Sequence, residues 1–387
     1  MNVSAGAARI IALQTGAISL GHFLIDFYMN IVPSILPFLT LHLGFSLTAL
    51  GTMVTVMNVT ASGLQPVFGY QIDRSGSGWM LPANLIWTAV LMTAIGFFSS
   101  YLPVFILAVA AALGAAFYHP LGANFTSFLA QRREGPAMSL YVAGGSIGYA
   151  TTPLIALPII ERYGLTTLWV LLIPGILGAA ALMPGGLLNT RLEPRDKSFL
   201  NRDDFKNASR WFLVLTAIVA LRAWAQYVLQ TFVPLFFVQR GSSLIEGGQL
   251  LTLFLVSGTL GIIGAGYATR YISNRGFLLT NIVFATLALI LFFFSRGFTT
   301  WLLLALIGAL IQAPIPITVM MAQDLMPRNA GVAAGMMMGG AVGLGGFGTM
   351  VSGVIGDYFG LEWALWLLVP IMLAATLLTW LFPDALE

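Results

Sequence analysis

Apolar runs long enough to cross a bilayer recur along the whole chain, and nothing else in the sequence restricts its fold so tightly. A helix needs about 20 mostly apolar residues to span the hydrocarbon core. Breaking the chain at charged or Pro/Gly/Ser-rich points gives twelve such spans. The first six lie near 10–39, 47–70, 79–99, 102–130, 136–160 and 165–188, and the second six near 211–238, 247–269, 277–296, 300–324, 331–355 and 362–382. Several exceed the minimum, so tilts, or kinks at Pro33, Pro120 and Pro234, are expected. Only 8% of the residues are charged, against about 25% in soluble proteins, and the apolar excess is spread so evenly that no soluble domain can be cut from it. The first run is too long for a signal-peptide core and reads as a retained span.

Charge fixes an orientation. With the N-terminus inside, 13 of the 17 Lys+Arg fall on the cytoplasmic side: Arg9, Arg74, Arg132, Arg133, six in 189–210, Arg270, Arg275 and Arg328. The opposite face receives Arg162, Arg240 and Arg296, and Arg222 lies within a span. This bias follows the positive-inside rule and predicts cytoplasmic N- and C-termini. It also removes nucleic acid as a partner, because the basic charge is topological. The polar segment Asn189 to Arg210 divides the chain into an N-terminal bundle (1–188), a cytoplasmic linker (189–210) and a C-terminal bundle (211–387). There are no cysteines, and the three histidines are far apart in sequence, so no metal-ligand motif is read.

Two polar stripes interrupt this pattern. His22, Asp26 and Asn30 are spaced i, i+4, i+8 in the first span, and Arg222, Gln226 and Gln230 repeat that spacing in the seventh. Such spacing puts each trio on one helix face. The repeat extends further: GAAFYHP at 114–120 aligns with GALIQAP at 308–314, Gly144-Gly145 through Gly148 with Gly339-Gly340 through Gly343, and ERYGL at 161–165 with GDYFGL at 356–361. A repeated half implies an all-α integral membrane protein, with twelve helices in two pseudo-symmetric six-helix bundles and a substrate path between them.

The run Gly69-Tyr-Gln-Ile-Asp73-Arg74-Ser-Gly76 resembles the loop motif of the major facilitator superfamily, and its second-half counterpart at Gly266 carries Arg270 in place of the acid. GHFLIDF in span 1, FYHPLGA in span 4, GGSIG in span 5 and LRAW in span 7 resemble the fosmidomycin-resistance branch. The superfamily resemblance covers essentially the whole chain, whereas that to the branch rests on four short blocks. It implies the major facilitator fold, a bacterial inner-membrane location and drug export against the proton gradient.

Ionisable side chains at membrane depth are costly and face a protein interior or a water-filled cavity. Asp26 is the one acid deep in the first six spans and is a candidate proton-coupling residue; the alternative is an acid neutralised by a structural partner such as His22. His22, one turn earlier, and His119, before Pro120, are candidates for a proton relay with it or for plain hydrogen bonds. Arg222 needs an acid or an anionic ligand. Two readings stay open for it: a salt bridge to Asp26 or a clamp for a phosphonate or carboxylate. Gln226, Gln230 and Asn30 are candidate pore-lining hydrogen-bonders. Asp73, Arg74 and Asp324 are candidate gating charges, with an interfacial ion pair as the plain alternative for Asp324. The glycine stripes Gly144/Gly148 and Gly331/Gly335/Gly339/Gly343 are expected to pack helices closely.

These residues point to a proton-coupled secondary active transporter, an antiporter exporting small amphipathic or anionic compounds by alternating access. Proton-coupled uptake of an organic anion and a lipid-handling protein are the competing readings. An enzyme would need a clustered nucleophile, metal set or paired acids at membrane depth, and the sequence offers none. The expected partners are a small-molecule substrate, protons and the lipid bilayer. The chain is expected to work as a monomer with no cofactor beyond the proton gradient.

Overall fold

The computed structural model describes residues 5–130, 134–192, 202–268, 271–327 and 330–383. Its regular elements are helices, and an isolated bridge joins Ser77 to Arg191. In lipid this is the economical solution, since a helix satisfies its own backbone polar groups. The first span is α1 (Ala5–Met29) and α2 (Ile31–Leu43), and the second is α3 (Leu47–Gly63) and α4 (Gln65–Ser75). Then come α5 (Met80–Ala94), α6 (Tyr101–Ala130), α7 (Glu134–Tyr163) and α8 (Leu172–Ala181), the last preceded by a 3₁₀ segment at Leu165–Leu171.

The second half begins with α9 (Arg202–Gln239), α10 (Leu244–Ala268) and α11 (Asn274–Phe294). The tenth span is split into α12 (Phe298–Gln312) and α13 (Ile315–Leu325). The eleventh is α14 (Ala330–Gly335), a π-helical turn (Met336–Ala341) and α15 (Val342–Phe359). The last is α16 (Leu361–Trp366) and α17 (Leu368–Leu381). Eleven helical stretches are long and apolar enough to cross a membrane, and the shorter Leu165–Ala181 takes the sixth place. The sequence-derived set of twelve is therefore recovered with one short member.

The three prolines differ in effect. Near Pro33 the helix is interrupted, at Asn30. Pro120 and Pro234 instead lie inside α6 and α9, which continue through them. A proline removes one hydrogen bond and crowds the preceding turn, and tightly packed neighbours can hold the helix across that gap.

The fold divides into two compact units, one made from residues 1–35 and 63–197, the other from 36–62 and 198–387. In the first, α1 is the buried centre: Ile18, Ile25 and Tyr28 are fully covered, and α6 and α7 pack along it. Glycine makes that approach possible. A Cβ at Gly144 or Gly148 would collide with the α1 backbone at Ser19 and Phe23. These two positions act as the sequence suggested.

In the second unit α3 lies against α15. Thr55 donates to the Gly346 carbonyl at 2.7 Å, and the Asp357 carboxylate accepts the Leu47 and Thr48 backbone N–H groups at 2.8 Å each. The expected glycine stripe of this span needs correcting. Gly339 does pack as expected, a Cβ there meeting the Ser62 carbonyl at 3.0 Å, but Gly335 and Gly343 have no atom within 4 Å of a would-be Cβ, and Gly345 and Gly348 sit against α9 at Ala223 and Trp224 instead. The π-helical turn shifts the helix phase between Met336 and Ala341, so spacing counted along a regular helix misplaces the contact face. Gly331 lies outside the residues whose side chains are described.

Candidate functional site

Two clusters form, one in each unit, and both are centred on a polar stripe. In the first, α1 carries His22 and Asp26 one turn apart, and the pair is 3.4 Å apart between His22 Nε2 and Asp26 Oδ2. The other carboxylate oxygen meets His119 Nε2 at 3.0 Å, brought in from the middle of α6. The two imidazoles stand edge to face with centroids 5.0 Å apart. Sequence spacing had separated these histidines. Folding instead packs α6 against α1 and brings their Nε2 atoms and an Asp26 oxygen within 4.8 Å of one another. That is compact enough for one small cation, whether a proton or a divalent ion.

Each ring is held from behind. His22 Nδ1 lies 2.7 Å from the Tyr141 carbonyl of α7, and the Tyr141 ring stacks on His22 at 4.1 Å. The Tyr141 hydroxyl donates to the His119 carbonyl at 3.0 Å. His119 Nδ1 meets the amide nitrogen of Gln65, the first residue of α4, at 3.2 Å. Gly145 of α7 closes the cluster from above: a Cβ there would lie 2.7 Å from His22 Nε2 and overlap the Asp26 carboxylate. Asn30, at the break between α1 and α2, donates to the Tyr149 carbonyl at 2.6 Å. Its buried Oδ1 is unpartnered.

The second cluster is built on α9. Arg222 is 1% exposed. Its Nη1 donates to Gln226 Oε1 at 2.9 Å, one turn on, and to the Ile311 carbonyl at 2.8 Å. That carbonyl lies in the last turn of α12, where the break at Ala313–Pro314 removes intrahelical partners. Arg222 Nε is buried with no partner. Both partners are neutral and lie in the arginine's own unit, and no acid of that unit pairs with it among the described residues. A buried guanidinium in this state favours an anion that can fill its free N–H positions. Gln230 is buried two turns along the same face, and Trp224 donates from its ring nitrogen to Ser352 Oγ at 3.0 Å.

The family description Major Facilitator Superfamily matches residues 18–347. The chain belongs to the major facilitator superfamily. It is therefore a multi-pass membrane transporter of a small-molecule substrate rather than an enzyme, and its helices lie in a lipid bilayer. It is similar to the fosmidomycin resistance protein of Escherichia coli (strain K12), with 25% identity over 90% of this chain and 87% of that one. It is also similar to the multidrug efflux pump Tap of Mycolicibacterium fortuitum, 28% identical over 71% of each chain. Among solved structures, a point mutant of the nucleoside transporter NupG matches with a TM-score of 0.81 at 13% identity, covering 96% of this chain and 99% of that one.

For a major facilitator protein the gating candidates are less collected than the stripes. The Arg74 guanidinium lies 4.4 Å over the Tyr70 ring, and Asp324 is exposed near the end of α13. The Asp73 side chain and Arg328 lie outside the described residues. Sequence reasoning missed Gln65, Tyr141, Gly145 and the Ile311 carbonyl. Gln65 did leave a signal, as an amide in an apolar run just before Pro66. A backbone carbonyl leaves none.

Proposed function

We propose that this transporter is a proton-coupled antiporter exporting small amphipathic or anionic compounds across the bacterial inner membrane. The carrying observation is the Asp26 carboxylate set between two imidazoles inside a membrane bundle. Such a cluster takes up and releases a proton without exposing a bare charge to lipid. Arg222 is the anion-recognition residue, with Gln226 beside it and Gln230 two turns along α9, and Asn30 is a further polar group at the α1–α2 break of the other unit. The resistance and efflux names of two relatives favour export over uptake. The Lys/Arg distribution supports cytoplasmic N- and C-termini, and the chain acts as a monomer. A potential of 100 mV supplies about 2.3 kcal/mol per charge moved, enough for roughly a fiftyfold gradient of a neutral solute.

Everted vesicles test the reading, with fosmidomycin as the first probe. Addition of the probe to energised vesicles should release protons from the lumen, and Asp26→Asn should abolish that release while Arg222→Ala weakens it. Unchanged proton release in Asp26→Asn would sink the role given to this residue.

A further inference from the structure

The hydrogen-bond partners around Asp26 assign its two histidines opposite tautomers. A backbone carbonyl only accepts, so the nitrogen facing Tyr141 O, His22 Nδ1, carries a hydrogen. In neutral His22 the lone pair is then on Nε2, which faces Asp26 Oδ2 at 3.4 Å. An amide nitrogen only donates, so the Gln65 NH₂ group obliges His119 Nδ1 to accept. His119 therefore carries its hydrogen on Nε2 and donates it to Asp26 Oδ1 at 3.0 Å. One side of the carboxylate has a donor already. The other meets a lone pair and lacks a proton.

We propose that the cluster holds a single exchangeable proton between His22 Nε2 and Asp26 Oδ2, and that Gln65 positions His119 as an Nε2–H donor to Asp26 Oδ1. This rests on the proton-coupled reading above and names the atoms within it. With the proton present, His22 Nε2–H and His119 Nε2–H each donate to one carboxylate oxygen. With it gone, lone pair faces lone pair on the His22 side, and the cluster carries one net negative charge. A second proton on His119 Nδ1 would point an N–H at the Gln65 amide hydrogens and break that bond.

Among the described residues, no other titratable side chain is hydrogen-bonded to the His22–Asp26–His119 side chains. On α6 the titratable groups are Tyr101, Tyr118 and His119, and the Tyr118 hydroxyl is committed to the Ile18 carbonyl at 3.0 Å. On α7 they are Glu134, Tyr141, Tyr149, Glu161, Arg162 and Tyr163, of which Tyr141 touches the cluster, and its hydroxyl is committed to the His119 carbonyl. The other helices packed on α1, α5 and α8, carry no titratable residue, and α4, which packs on α6, carries Tyr70, Asp73 and Arg74, all more than a turn beyond Gln65, with Arg74 over the Tyr70 ring. The tautomers also favour a proton over a divalent ion, because a metal would need both Nε2 lone pairs free.

The test is a pH titration of purified, chelator-treated, ¹⁵N-histidine-labelled protein in lipid nanodiscs, read by NMR, beside the vesicle proton assay. His22→Gln and His119→Gln assign the signals. Of the two rings at Asp26, the expected result is that His22 passes from the Nδ1–H tautomer to imidazolium as pH falls while His119 keeps the Nε2–H tautomer. Gln65→Glu, whose carboxylate accepts from Nδ1–H, should reverse the His119 tautomer and raise the exchangeable protons from one to two. Imidazolium formation at His119 before His22, or an Nδ1–H tautomer in both rings, would overturn the proposal. If the rings titrate as expected but no substrate-linked proton flux occurs, the antiport reading fails and the proton assignment stands. If flux is present and His119 carries the proton, the assignment fails alone.

Discussion

Replacing Arg222 with methionine separates an arginine that awaits a ligand from one that holds the fold. The substitution keeps the volume of the stem and deletes a buried charge with two neutral hydrogen-bond partners, Gln226 Oε1 and the Ile311 carbonyl. Losing two hydrogen bonds to a charged group costs about 1.5–3 kcal/mol each. Removing a desolvated charge with no acid beside it returns several kcal/mol, and apolar replacements of buried charges are often neutral or stabilising. The two effects nearly cancel, so the ligand-free variant should unfold within about 2 kcal/mol of the parent.

Binding should respond otherwise. An anion using the free N–H positions, Nε among them, makes two charge-assisted contacts, together worth about 3 kcal/mol at the low end, or roughly 150-fold in Kd. At a ligand concentration 100 times Kd, bound ligand stabilises the parent by about 2.7 kcal/mol, and the variant retains about 0.3 kcal/mol. Thermal unfolding of purified protein in lipid, with and without a phosphonate such as fosmidomycin, reads both quantities. Collapse of the ligand-free variant, together with equal loss of stabilisation by neutral ligands, would refute the argument and make Arg222 a structural residue.

Gly145→Ala puts a methyl group onto the His22–Asp26 pair, so overpacking of about 1–3 kcal/mol and loss of substrate-linked proton release are expected in vesicles, with export retained only if α7 shifts. Asp357→Ala removes the carboxylate that caps α3, and its exposed setting limits the loss to about 1–2 kcal/mol, seen as a lower unfolding midpoint that Asp357→Asn partly restores. Pro314→Ala restores a backbone N–H whose helical acceptor is the Leu310 carbonyl, and closing the α12–α13 break in this way lets the Ile315 N–H compete with Arg222 for the Ile311 carbonyl. That carbonyl competes with an anion for the Arg222 Nη1 hydrogens, so anion affinity should rise, by at most about tenfold, the worth of one charge-assisted hydrogen bond. Unchanged affinity would separate that carbonyl from recognition.

The sequence alone determined the membrane class, the helical fold, the repeat and the residues worth testing. Those follow from burial costs that hold at any position in a bilayer: a long apolar run must be a helix there, and a lone Asp26 or Arg222 must have a reason. The tertiary structure decided which groups meet. His22 and Asp26 share one turn of α1, so their pairing was legible. His119 reaches the same carboxylate from α6, with Gln65 of α4 behind it on His119 Nδ1, and that depends on how closely glycines let helices approach. The partners of Arg222 include a backbone carbonyl at a helix break, which no side-chain pattern encodes. The phase of the eleventh span was lost at a π-helical turn for the same reason. Spacing along the chain reports faces of a regular helix, and function here was assembled where helices cross or cease to be regular.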